Sequence, residues 1–402
     1  MARTRNNHWK IWLATAAFSS INVVNAEVLF QDNFDNQPDW TSGLAINATS
    51  ANPAGKPDRE QRAATHTIPN GWFSARQDPV WAPSTGHPDR HEPIEILARN
   101  ADKARGGKGK SFVSWRDSYD AGWGYWGSES MLVKYFPEGH EALYVEFWIR
   151  FGDNWTRKYV SGKPSAISKL FRISSWSGKG SEYQAFGGGE LGPILLWDHS
   201  INSYGVRNVI AMRGGPTGDN YVFNSGTISG LPRVLAGSGD LSLNFTADVK
   251  GQGPGGETPK IPDRVNGGYI SNNPSDNISH DQVYGPGGAW TKMAFYVKMN
   301  SSPGAKDGIF RQWMNGVQIF NSTTIPWVRP TSSGNEMVKW NLVAIGGNDF
   351  FQTYPNTDRR EEWYSIDDVV IRTDIPSDLM SDEDVVAPLI SPPAPPTSIE
   401  VQ

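Results

Sequence analysis

Side chains that can move protons or bind anions recur along several short apolar segments of this 402-residue sequence. His199 ends segment 195–199, Lys169 lies within segment 166–172, and Arg213 ends segment 208–213. An imidazole or phenol can carry a proton to or from a reacting atom, whereas ammonium and guanidinium groups stabilise negative charge that develops there. Together, these residue types would suit the removal of a proton beside an anionic group.

Two segments alternate apolar and polar residues with a period of two, which predicts β-strands with two distinct faces. The polar face of segment 143–151 carries Tyr144, Glu146, Trp148 and Arg150. The polar face of segment 290–299 carries Lys292, Tyr296 and Lys298. A solvated face with ion pairs would also explain Glu146 and Arg150, so the sequence leaves their role open.

Tryptophan is unusually frequent, with 17 residues in the chain. Indole rings that stay exposed on a strand can stack on sugar rings, because they offer a large, rigid, amphipathic surface. We do not expect all three of Trp148, Trp197 and Trp313 to be buried in the core. We therefore predict that Trp148 and Trp197 line a sugar-binding groove.

The elements that must position these residues are short strands broken by Gly, Pro and Asn, and no segment has a sustained helical period. This pattern predicts an all-β sandwich with long loops and few short helices. Asn315-Gly316 between two apolar runs predicts a hairpin. We expect one domain over residues 27–379 and an acidic, then Pro-rich tail or linker over 380–402.

The N-terminal segment predicts export. Arg3, Arg5 and Lys10 precede a short apolar run and small residues up to Ala26, which is the order of a signal peptide. Its removal would lower the net charge from −5 to about −8. An acidic secreted chain without cysteine excludes disulfides and thiol catalysis, and makes nucleic acid an improbable partner. We expect a monomer that is secreted and is not held in a membrane.

Three motifs are similar to those of concanavalin A-like jelly-roll proteins, and among these to polysaccharide lyases. They are Phe30-Gln-Asp-Asn-Phe-Asp35, the hairpin that runs through Asp307-Gly308 to Arg311-Gln-Trp-Met-Asn-Gly316, and the closing Tyr364-Ser-Ile-Asp-Asp-Val-Val370. The resemblance covers residues 28–373 and implies a concanavalin A-like β-sandwich. It does not identify one lyase family, since the Gln-Ile-His and Tyr-x-x-Gly-x-Tyr motifs of the alginate lyases with this fold are missing.

The resemblance implies a lyase that cleaves a uronic-acid-containing polysaccharide by β-elimination. In that reading Arg150, Lys169 and Arg213 bind the acidic sugars, and His199 carries the proton with Tyr144 or Tyr296. The expected substrate-binding residues are Glu146, Trp148, Trp197 and Lys298.

The resemblance also raises a structural calcium site at Asp32 and Asp368, with capped, hydrogen-bonded carboxylates as the alternative. It implies no organic cofactor.

Two other functions remain open from the residues. A non-catalytic carbohydrate-binding protein could use Trp148 and Trp197 as a stacking platform. A glycoside hydrolase would need a non-standard carboxylate pair that includes Glu146, because the Glu-x-Asp-x-x-Glu pattern of the hydrolases with this fold is absent.

Overall fold

The computed structural model describes most of the chain between Glu27 and Met380. The described ranges are 27–42, 67–77, 82–86, 90–117, 128–153, 155, 166–183, 191–202, 205–216, 221–222, 234–236, 241–244, 289–331, 336–350 and 360–380. The predicted signal peptide, the predicted tail after Met380 and the long loop-like stretch 250–288 lie outside these ranges. Within them, no helix is long and apolar enough to cross a membrane.

Two antiparallel sheets make up the described fold, and we call them sheet A and sheet B. Sheet A has the order β16 (Val317–Ile325), β15 (Gly308–Met314), β14 (Thr291–Lys298), β7 (Ala142–Phe151), β18 (Glu361–Arg372), β5 (Phe112–Asp117), β4 (Ile94–Ile96) and β2 (Trp40–Thr41), and β1 (Val28–Asp32) pairs with β18.

Sheet B has the order β12 (Val234–Ala236), β13 (Leu241–Asn244), β10 (Gly205–Gly214), β9 (Leu191–Asn202), β8 (Ala166–Trp176), β17 (Trp340–Phe350), β6 (Ser128–His140) and β3 (Ser74–Gln77), and β11 (Tyr221–Val222) pairs with β10. The described helices are three short 3-10 turns at Ala98–Lys103, Arg105–Gly107 and Ser377–Leu379. The predicted all-β sandwich with few short helices is confirmed.

The predicted alternation places apolar side chains between the sheets. Phe147 of β7 and Phe295 of β14 face Phe171 of β8, with ring centroids 5.1 and 4.7 Å from that of Phe171. Burial of such rings is a main source of stability, because each removes a large apolar surface from water. The core therefore lies between the sheets, and each sheet keeps one outer face that is turned away from its partner.

The predicted hairpin is present between β15 and β16. Asn315 and Gly316 adopt φ values of 49° and 83°, and this left-handed pair forms the tight turn that Asn-Gly favours between antiparallel strands. The turn lies at the end of sheet A where β7, β14 and β15 run side by side.

Candidate functional site

Lys169 and Arg213 lie on the outer face of sheet B. Lys169 is directly opposite Asp198 on β9, and Arg213 is opposite Ile194, which belongs to an apolar cluster on that outer face. Residues directly opposite each other in a ladder project to the same side of the sheet. The structure thus brings two of the predicted cations to one face, together with the carboxylate of Asp198.

An irregularity in β8 adds Arg172 to this face. Lys169 pairs with Asp198 and Phe171 pairs with Trp197, so that Leu170 is one extra residue in the ladder. Leu170 and Phe171 both point into the core. The extra residue restores the outward direction at Arg172, which pairs with Leu196 of the outer apolar cluster. Bulges of this kind re-aim side chains and are frequent near active sites.

Arg172 is the buried centre of a polar cluster on sheet B. Its Nη1 donates to the backbone oxygen of Tyr183 at 3.1 Å. The guanidinium of Arg76 lies 5.0 Å from the centre of the Tyr183 ring and forms an ion pair with Glu129. We call Arg76, Glu129, Lys169, Arg172, Tyr183 and Asp198 the sheet B cluster.

Arg172 keeps its positive charge inside this cluster. Burial lowers the pKa of Arg172 to about 10, and the charge of Arg76 acts in the same direction. The carboxylates of Glu129 and Asp198 act against this lowering. The guanidinium is therefore protonated at neutral pH, and the cluster combines cations with a tyrosine that is only 5% exposed.

His199 and Trp197 face the core, not the groove that we expected. Both are on the same side of β9, as the alternation predicts, but that side is turned towards sheet A. Trp197 is 0% exposed and packs 6.0 Å from the ring of Phe147. His199 is 1% exposed, and its Nε2 accepts a hydrogen bond from the indole of Trp155 at 3.4 Å. Trp197 therefore cannot serve as a stacking platform, and His199 does not share a face with Lys169.

Tyr144 lies on the outer face of sheet A, on the far side of the core from the sheet B cluster. It is buried against Trp313 and Ile375 of the C-terminal segment. Its hydroxyl donates to Glu146 at 2.5 Å, and Glu146 also pairs with Lys292 at 2.8 Å. Burial and the hydrogen bond to Glu146 raise the pKa of Tyr144 well above its usual range. Its role in the structure is packing, which corrects the predicted pairing with His199.

The other predicted residues of β7 and β14 share this outer face of sheet A. Tyr296 is directly opposite Tyr144, and Lys298 is exposed at the end of β14. Arg150 lies 5.2 Å from the centre of the Trp363 ring and donates to the backbone oxygen of Asp102 at 2.9 Å. The predicted catalytic set is thus divided among two outer faces and the core.

Asp32 and Asp368 line one cleft of about 460 Å³. Asp32 accepts hydrogen bonds from the side chains of Gln37 at 2.6 Å and Trp72 at 2.8 Å. Asp368 pairs with Arg105 at 2.6 Å. Both carboxylates thus have hydrogen-bond or ion-pair partners within the protein. Ca²⁺ takes six to eight oxygen ligands, which include amide and backbone oxygens as well as carboxylates. The calcium site at Asp32 and Asp368 therefore stays a prediction.

Sequence reasoning did not identify Arg76, Glu129, Arg172 or Tyr183. Arg172 is three residues after Lys169, and strict alternation would have placed the two on opposite faces. Only the extra residue at Leu170 reverses that expectation. Arg76 and Glu129 come from the short strand β3 and the long strand β6, which pair far from each other in sequence. The one available signal was the density of polar residues in segment 166–172.

No family model matches the sequence, and no curated protein matches it. An endo-beta-1,4-glucuronan lyase from the fungus Trichoderma reesei is similar in structure with a TM-score of 0.40 and 10% identity, over 76% of this chain and 92% of that chain. A mutant of alginate lyase Aly36B in complex with alginate tetrasaccharide gives a TM-score of 0.39 and 11% identity, over 86% of this chain and 96% of that chain.

Proposed function

We propose that this protein is a polysaccharide lyase that cleaves a uronic-acid-containing glycan by β-elimination on the outer face of sheet B. The observation that carries the proposal is that two guanidinium groups contact Tyr183: Arg172 donates to its backbone oxygen and Arg76 lies over its ring. A tyrosine beside fixed positive charge is suited to exchange a proton next to a carboxylate.

The reaction makes two demands that the sheet B cluster can meet. A base removes the C5 proton of the uronate, the electron pair of that C–H bond forms the C4–C5 double bond, and the C4–O bond breaks. The leaving oxygen takes up a proton. The sugar carboxylate resists the negative charge that develops at C5, so cations must stabilise it. Lys169, Arg172 and Arg213 supply these cations, and Tyr183 carries the proton.

Positive charge near the phenol also supports this assignment of Tyr183. The phenol of Tyr183 lies close enough to Arg172 to interact with its charge, and the guanidinium of Arg76 lies over the same ring. Glu129 forms an ion pair with Arg76, and Asp198 lies directly opposite Lys169 in the sheet. This arrangement replaces His199 as the proposed base.

We also propose that the protein acts outside the cytoplasm as an exported monomer. The charged start, apolar run and small residues before Glu27 support export. An exported enzyme would meet large polysaccharide substrates directly. N-terminal sequencing of the mature protein should begin at Glu27; an intact N-terminus would contradict the proposal.

The test follows the absorbance of the unsaturated product while the protein is mixed with alginate, glucuronan and glycosaminoglycans. Absorbance should rise with at least one of these polymers. Tyr183→Phe should lower kcat by about 100-fold or more, because it keeps the ring and removes the proton carrier. Tyr135→Phe is the matched control: Tyr135 lies on the same outer face, beside Trp176, and its variant should keep wild-type kcat.

The variant Lys169→Ala tests the role of the positive charge separately from the role of the proton carrier. It should lower kcat/KM for the acidic polymer, because it removes a cation that binds the sugar carboxylate. No absorbance with any of the three polymers would overturn the proposal. New reducing ends without absorbance would indicate a hydrolase, and retention on a glycan gel without products would indicate a non-catalytic binding protein.

A further inference from the structure

We propose a second, non-catalytic carbohydrate site on the outer face of sheet A, where Trp148 lines a small cleft and binds a neutral sugar ring. The cleft has a volume of about 220 Å³. It is lined by Trp148, Lys292, Ala294, Trp313, Asn315, Gly316, Asp378 and Leu379. Sites for drug-sized ligands start at roughly 300 Å³, so this cleft suits a single ring of a longer chain.

Trp148 provides the stacking surface of the cleft. The guanidinium of Arg105 lies 4.1 Å from the centre of its ring, which orients the indole by a cation–π contact. The ring is partly exposed, whereas Trp313, which also lines the cleft, is only 2% exposed. An indole held in one orientation loses little conformational freedom on binding, and its face suits the C–H surface of a sugar.

Polar groups surround this surface at positions fixed by the fold. The Asn315 amide oxygen accepts the backbone N–H of Lys292 at 2.9 Å, which leaves its NH₂ end to donate to a ligand hydroxyl. Asp378 is exposed, also lines the cleft and offers a carboxylate acceptor. A stacking ring with a donor and an acceptor at its edge is the arrangement that recognises a hydroxylated pyranose.

The charges around the cleft favour a neutral ligand. Lys292 is paired with Glu146 at 2.8 Å, and Arg105 is paired with Asp368 at 2.6 Å. Asp378 adds a negative charge at the rim. This carboxylate would repel a uronate, and the two described cations nearest to Trp148 are already paired, whereas a neutral sugar would not be repelled.

This site is independent of the proposed lyase chemistry. It lies on the opposite side of the core from the sheet B cluster, because β7 and β14 turn their apolar faces towards sheet B and their polar faces away from it. Binding here would hold the protein on a neutral polysaccharide, whatever reaction takes place on sheet B.

The test is affinity electrophoresis of the full-length protein in gels that contain hydroxyethylcellulose, xylan, glucomannan or dextran, none of which carries the uronates of a lyase substrate once the xylan is debranched. At least one polymer should retard the protein. Trp148→Ala should weaken that binding by about tenfold, the amount expected for loss of a stacking surface. Asn315→Gly, which suits the turn but removes the amide, should weaken it by a smaller factor.

Trp363→Ala is the matched control. Trp363 is another partly buried indole on the same outer face with a cation over its ring, but it does not line the cleft. Its variant should bind like the wild type, and thermal unfolding should verify that each variant is folded. Absence of retardation in all four gels, or equal retardation of wild type and Trp148→Ala, would overturn the proposal. Either result would leave the absorbance test of the lyase proposal unaffected.

Discussion

At the scale of single residues, burial decides which titratable groups keep their ordinary chemistry. Asp367 illustrates this, because it is 4% exposed on the outer side of β18. Its carboxylate accepts the backbone N–H groups of Arg105 at 2.9 Å and Asp368 at 2.8 Å. Burial nevertheless raises the pKa of Asp367 to about 7, against the effect of these hydrogen bonds, and the nearby Asp368 and Asp35 raise it further.

The raised pKa of Asp367 predicts a loss of stability with rising pH. The folded protein keeps this proton up to about pH 7, whereas the unfolded chain loses it near pH 3.8. The contribution of this group is therefore fully present below pH 4 and is lost as the pH rises to 7. Between pH 5 and pH 8, the melting temperature of the wild type should fall a few degrees more than that of Asp367→Asn.

Asp102→Asn serves as the control for this experiment, since the Asp102 side chain is 71% exposed. Its melting profile should run parallel to that of the wild type. If the Asp367→Asn profile is also parallel, Asp367 does not titrate in this range and the explanation fails.

At the scale of elements, irregular pairing between β17 and β8 shapes the proposed lyase site. The register shifts between Ile345 and Asp349 of β17, where Gly346 and Gly347 lie. A Cβ on Gly347 would come within 2.4 Å of the Lys169 backbone oxygen. Glycine thus permits the close approach of the two strands beside Lys169, and the local bulge in β8 turns Arg172 to the same face.

Gly346→Ala should test how tightly this region is packed. Gly346 has a φ of 78°, and a Cβ there would lie only 2.0 Å from the backbone oxygen of Ser130. We expect a loss of about 3 kcal/mol or more in the free energy of unfolding, from overpacking together with backbone strain. Urea unfolding measures the loss.

Gly316→Ala is the matched control, because its φ of 83° is nearly the same and nothing lies within 4 Å of its Cβ position. It should lower the free energy of unfolding by only about 1 kcal/mol, because a residue with a Cβ is strained in this left-handed backbone conformation. Equal losses in the two variants would mean that the contact with Ser130 contributes nothing.

At the scale of the whole molecule, one buried guanidinium joins the two sheets. Arg116 of β5 donates to Glu362 of β18 at 2.8 and 3.0 Å, and to Ser168 of β8 at 2.7 Å. It also pairs with Asp349 of β17 and stacks 3.5 Å from the centre of the Trp155 ring. The same side chain therefore binds sheet A and sheet B at the end of the core where His199 lies.

Arg116→Met should destabilise the protein by about 3–5 kcal/mol at pH 7, because it removes the cation shared by two buried carboxylates. Guanidinium unfolding at pH 7 and pH 8 measures the loss.

A triple variant with Arg116→Met, Asp349→Asn and Glu362→Gln provides the comparison. It should recover most of the lost stability at pH 8, since no buried charge is left uncompensated. A triple variant as unstable as Arg116→Met would show that lost packing, and not the carboxylates, causes the effect.

Much of the fold could be predicted because its strands obey local rules. The alternation in β7 and β14 correctly separated core residues such as Phe147 from outward residues such as Tyr144. The Asn315-Gly316 turn was evident because few other sequences tolerate two successive positive φ values. The candidate site was predicted only in part. Lys169 and Arg213 were predicted, but they share their face with Arg172, which the same alternation would have placed in the core.

The sequence alone therefore determined the class of fold, the strand faces and the hairpin, since each depends on neighbouring residues. Only the tertiary structure decided which face of each strand is covered by the other sheet. A period of two groups Trp197 with His199 but does not say that a second layer buries them. Likewise, the pairing of β8 with β9 and β17 decides the bulge at Leu170, and distant strands bring Arg76 to Tyr183. These outcomes depend on contacts between residues far apart in the chain, which no local pattern contains.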